Sequence, residues 1–150
     1  MKVFPRLADL QELTGQSLGL SDWILVEQAR IDAFAAATED HQWIHTDPVR
    51  ASGGPFGTTV GHGFLTLSLL PAFIGSAFAL GDVCLMINYG LNRVRFTAPV
   101  PVGSRLRAQF SLLAWEALKE GVQLTVEATV EREGATKPVC IAESLLRCHP

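Results

Sequence analysis

No run of lysines and arginines occurs anywhere in the chain. The 12 Lys and Arg residues are scattered among 15 Asp and Glu, for a formal net charge of -3. Nothing is therefore placed to neutralise a row of phosphates, and nucleic acid is not an expected partner. Cysteine is scarce. Cys84, Cys140 and Cys148 have no metal-ligand spacing, and their odd number argues for reduced thiols in the cytoplasm rather than a disulfide framework. Residues 1–6 lack the charged start, apolar stretch and cleavage site of a secretory signal, so export is not expected. Also missing are a phosphate-cradling glycine loop, a metal motif, and the nucleophile elbow that a serine hydrolase would need around Ser104 or Ser144.

The apolar content, 48% of residues against 18% charged, places the chain among folding sequences. With 150 residues and no repeat, linker or low-complexity stretch, one domain over residues 1–150 is expected. Leu7, Leu10 and Leu13 recur at helical spacing, with Gly15 as the stop. A strand is expected around Trp23 to Val26, then a helix with Ile31, Phe34 and Ala35 on its inner face that ends just before Asp40. Residues 40–58 read as an irregular segment with one helical turn from Pro48.

Residues 63–80 are almost wholly apolar and predict one long buried helix. Pro71 and the interspersed small and polar residues argue against a membrane span. Beyond Val83 the period becomes two. Val94 and Phe96 oppose Arg93 and Arg95, Leu106 and Ala108 oppose Arg105 and Arg107, and alternate positions from Val122 to Val130 are apolar. With a strand over residues 139–146, four long antiparallel strands are expected, separated by turns at 99–103, 119–121 and 133–134. The fold class is therefore α+β, an apolar helix wrapped by a curved antiparallel sheet.

Within Asp40-His41-Gln42-Trp43-Ile44-His45-Thr46-Asp47-Pro48, a carboxylate and an imidazole stand five residues apart beside water-excluding side chains. Hydrating a double bond needs one group to take a proton from water and another to deliver one to carbon, and His with Asp covers both near neutral pH. The competing reading makes Asp40 a cap of the preceding helix or a turn. Gly61-His62-Gly63 directly precedes the apolar helix, which leaves the Gly63 N–H without an intrahelical acceptor and free to serve an oxyanion. The competing reading there is two glycines easing a turn. His62 is given no role of its own.

The run from Asp40 to Asp47, with Phe56 and Val60-Gly61-His62-Gly63-Phe64, resembles the signature of MaoC-like dehydratases and (R)-specific enoyl-CoA hydratases. Residues 88–96 and 99–104 resemble that family's central strand and following turn, and the sequence also resembles its NodN-like subgroup. The sequence departs from the family pattern at Gln42-Trp43, where Asn-Pro is usual, and at Gly61, where Ala is usual. The resemblance implies a hotdog fold, a homodimer and a coenzyme A or carrier-bound acyl-thioester substrate. It assigns catalysis to Asp40 and His45 and the oxyanion contact to Gly63. No separate cofactor is implied, since coenzyme A enters as part of the substrate. Hydrolysis of the thioester, and acyl-thioester binding without catalysis, are the alternatives.

Three further readings concern side chains near these segments. Arg93, Arg95, Arg105 and Arg107 either meet coenzyme phosphates or form a solvated sheet face. Trp43 and Phe56 either line an acyl pocket or belong to the core. A wrapped sheet leaves open edges, which pairing with a second copy would close.

Overall fold

The computed structural model describes all residues 1–150. Four long strands carry the period-two segments: β5 (Leu85–Phe96), β6 (Ser104–Ala117), β7 (Val122–Arg132) and β8 (Cys140–His149). Along β7 and β8 every second residue is buried, so the alternation in sequence is the alternation between core and outer face. The sheet runs β2-β6-β7-β8-β5, where β2 is Ser17–Leu20, and β3 (Ile24–Val26) also pairs with β6. All of these pairings are antiparallel. A separate parallel pair joins β1 (Lys2–Phe4) to β4 (Phe78–Leu80).

The helical segments begin with a 3₁₀ helix (Leu7–Leu13) that buries Leu7 and Leu10. Then come α1 (Gln28–Thr38), α2 (Trp43–Thr46), α3 (Pro48–Ser52), α4 (Gly63–Ser68) and α5 (Leu70–Ala77). The expected α+β plan is present, a helical core against a curved antiparallel sheet. The expected single helix over residues 63–80 is not. It divides into α4, α5 and β4. Pro71 stands in the first turn of α5 and has no N–H to continue the ladder from α4. Beyond Ala77 the backbone turns extended, because Phe78–Leu80 pairs with the N-terminal strand.

Nor is this segment buried all round, since Phe64 is 67% exposed. Its inner face meets the sheet. Phe73, Ala77, Leu65 and Leu70 join Leu106, Phe110, Leu124, Val126, Ala128 and Leu146 in one cluster of 27 buried residues. Fully burying a side chain such as Phe73 contributes about 1.5–3 kcal/mol, so this contact holds α5 against the sheet, as Leu65 holds α4. Cys140 and Cys148 lie in the same cluster, and burial pushes both thiols up to about 11. No helix is long and apolar enough to cross a membrane.

Candidate active site

Helix α1 ends at Glu39, the one non-glycine residue with a left-handed backbone (φ 61°). That conformation stops the helix and sends Asp40 out as the first residue of a loop. The Asp40 carboxylate is 55% exposed and caps no helix. The capping carboxylate nearby is Asp47, which accepts from the Arg50 N–H at 2.9 Å and starts α3. This overturns the cap reading for Asp40, while the helical turn expected from Pro48 is present and capped by Asp47.

His45 sits on α2, a helical turn absent from the expected irregular segment, and its side chain is buried. Its Nδ1 lies 2.6 Å from the carbonyl of Val60. A carbonyl only accepts, so Nδ1 carries the hydrogen and Nε2 keeps a free lone pair. A second contact fixes the α2 backbone. Thr59 Oγ1 donates to Gln28 Oε1 at 2.5 Å, and Gln28 Nε2 donates to the His45 carbonyl at 2.8 Å. The imidazole is thus held from α1, α2 and the strand-like residue Val60, which bridges to Pro101.

His62, given no role in the sequence reading, is buried between the two predicted residues. Its ring stacks on that of His45, with centroids 3.8 Å apart and planes 23° from parallel. Its Nε2 is 3.0 Å from the Asp40 carbonyl and 3.9 Å from a carboxylate oxygen of the same residue. The ligand-capable atoms of Asp40, His45 and His62 all lie within 4.8 Å of one another. The Asp40 carbonyl can only accept, so His62 Nε2 carries the hydrogen there, and the space between the Asp40 carboxylate and His45 is of the size one water bridges. A histidine directly before a helix-opening glycine was the only sequence signal for His62.

Gly63 opens α4, and its N–H has no protein acceptor. A Cβ at this position would stand 2.7 Å from the Phe96 ring, so any larger residue would have to push that ring aside. The same test leaves Gly61 unconstrained, with nothing nearer than 3.6 Å, so the turn reading explains neither glycine fully. Gly61 and Gly63 border a groove of about 380 Å³ lined also by Ile44, Phe56, Thr66 and Phe96. Of the two readings open for Phe56, the structure has it lining the groove rather than the core. Trp43 does not line it. It packs on the Arg50 guanidinium and against Gly54.

None of the four arginines lines this groove. Arg93, Arg105 and Arg107 pair with Glu143, Glu133 and Glu131 across neighbouring strands, and Arg95 donates to the Val94 carbonyl. They form the solvated face of the sheet, and exposed pairs of this kind are worth at most about 1 kcal/mol each.

A sequence profile for the MaoC like domain matches residues 9–134. Over 148 residues, 98% of each chain, the sequence is 55% identical to 3-hydroxyacyl-thioester dehydratase Z of Mycobacterium tuberculosis. It is 47% identical over 139 residues to Nodulation protein N of Rhizobium leguminosarum bv. viciae, covering 91% of this chain and 86% of that one. Among solved structures, the (R)-hydratase of A. caviae involved in PHA biosynthesis superposes with a TM-score of 0.73 at 24% identity, covering 89% of this chain and 95% of that one.

Proposed function

Because the chain belongs to the MaoC-like dehydratase family and has its hotdog fold, we infer that it is a hydro-lyase adding water to trans-2-enoyl thioesters and removing it from 3-hydroxyacyl thioesters. The observation that carries the mechanism is the cluster of Asp40 and His45, with a free Nε2 lone pair on the imidazole and an ionisable carboxylate within one water's span of it. In the hydration direction the water oxygen bonds to the β-carbon and the π electrons move toward the thioester carbonyl. One water proton passes to the Asp40–His45 pair, and the pair returns one proton to the α-carbon, so it ends in its starting state.

Negative charge gathers on the thioester oxygen as the β-carbon is attacked. The unpaired Gly63 N–H is the donor we assign to it. The acyl group takes the apolar groove beside Gly63, and coenzyme A or a carrier arm arrives as part of the substrate, with no further cofactor needed for proton transfer. Cys84, Cys140 and Cys148 form no disulfide with one another, which fits the cytoplasmic location read from their odd number and spacing. A homodimer is supported by β5, a twelve-residue edge strand whose apolar side chains lie open to solvent.

The test is purified protein with a short trans-2-enoyl-CoA, following the conjugated enoyl absorbance and free thiol together. Loss of enoyl absorbance without thiol release is the expected result. Thiol release would make it a thioesterase, and no change across chain lengths would leave it a binding protein.

A further inference from the structure

We propose that His62 is a positioning residue, which holds Asp40 in place through its Nε2–H; this rests on the hydratase reading above. Asp40 follows a helix end, belongs to no helix or strand, and exposes over half of its side chain. Its carboxylate accepts no hydrogen bond within 3.5 Å, so side-chain contacts do not fix it. What ties residue 40 to the site is its carbonyl, which accepts from His62 Nε2 at 3.0 Å. The anchor itself is rigid. His62 is 3% exposed, stacked on His45 on one side and packed 5.0 Å from the Phe34 ring of α1 on another. It also immediately precedes Gly63 in the chain, so one buried ring links the carboxylate loop, the imidazole and the proposed oxyanion donor.

The other ring nitrogen supports this reading. His62 Nδ1 is buried and has no hydrogen-bond partner. A side chain kept only for packing would be better as a phenyl group, which fills similar space without a stranded polar atom. Histidine at this position therefore lowers stability relative to phenylalanine, and what it offers in return is the Nε2 donor. Replacing that donor with carbon is expected to cost the fold little, because residue 40 belongs to no helix or strand and the bond is only partly buried. The loss falls on the placement of the carboxylate.

The experiment compares His62→Phe, which keeps the stacked ring and removes the donor, with His62→Gln, which restores a donor at about the Nε2 position and removes the ring. His62→Phe is expected to unfold at or above the wild-type midpoint, and its kcat is expected to fall on the order of 100-fold with little change in KM. His62→Gln is expected to recover at least about tenfold of that loss. Amide hydrogen exchange over residues 40–43 is expected to speed up in the Phe variant alone. Wild-type kcat in His62→Phe, or an equal loss in both folded variants, would overturn the assignment. If the wild type is inert toward enoyl thioesters, the hydratase reading fails on its own account. Exchange then decides the anchoring role, and unchanged rates across residues 40–43 would overturn it.

Discussion

At the scale of single residues, the site depends on the complementary states of two side chains. His45 is committed to one tautomer by the Val60 carbonyl, which leaves its Nε2 as an acceptor toward the site. Asp40 is exposed enough to exchange protons with water and close enough to share one with the imidazole. Asp40→Asn and His45→Gln each keep hydrogen-bonding capacity while removing acid–base function. Either change alone is expected to lower turnover by about two to four orders of magnitude with the fold intact. Since both groups act on one water, the double variant is expected to lose far less than the product of the two single losses. A structural role would appear differently, as a lower melting temperature with activity tracking the folded fraction. Hydratase kinetics and thermal unfolding on the same three variants distinguish the two, and a stably folded, fully active Asp40→Asn protein would remove Asp40 from the mechanism.

At the scale of elements, α5 carries an internal weakness that nothing around it requires. Gly75 lies in the interior of the helix, is exposed, has no neighbour within 4 Å of where a Cβ would stand, and has no left-handed backbone. Gly75→Ala is expected to raise stability by about 0.5–1 kcal/mol through helix propensity and the loss of unfolded-chain freedom, read as a higher urea midpoint at unchanged slope. Turnover is expected to stay the same, because Gly75 does not line the groove that Gly63 borders.

The neighbouring elements show which parts of the fold were legible. Val122 to Val130 announced a strand because one face of β7 is buried and the other wet, and that contrast is written directly in residue type. Residues 63–80 carried no such contrast. All three elements there are apolar, and what separates them is tertiary: a proline starting α5 and the parallel pairing of Phe78–Leu80 with Lys2–Phe4, some 75 residues away in sequence. The site divided in the same way. Asp40, His45 and Gly63 were visible as chemistry at close spacing. The α2 turn that aims His45 inward, and the stacking of His62 upon it, arise from a meeting of α1, α2 and the start of α4 that no local window contains.

At the scale of the whole molecule, the sheet ends at β5 and the ending is poorly covered. Pairing with β8 uses one edge of the strand, and two register irregularities between Asn88 and Arg93 bend it. On the outer side Leu85, Ile87 and Tyr89 are exposed, with the Arg147 guanidinium laid over the Tyr89 ring. On the inner side Leu91 faces a cleft of about 400 Å³ between the strand and the residues Leu67, Leu70, Pro71 and Ile74 of the helical core. Phe64 and Phe96, in edge-to-face contact, continue this apolar surface toward Gly63. So large an unpaired edge invites association, and a second copy laid along it would cover backbone groups and side chains together. The wild type is expected to sediment as a dimer at micromolar concentration. Leu91→Glu places a charge in the uncovered cleft, where it would cost little in a free subunit and much in a closed interface. That variant is expected to shift toward monomer while retaining its far-UV signature, and sedimentation velocity across a dilution series measures the shift. A wild type that stays monomeric throughout the series would show that β5 tolerates its exposure and that the site is complete in one chain.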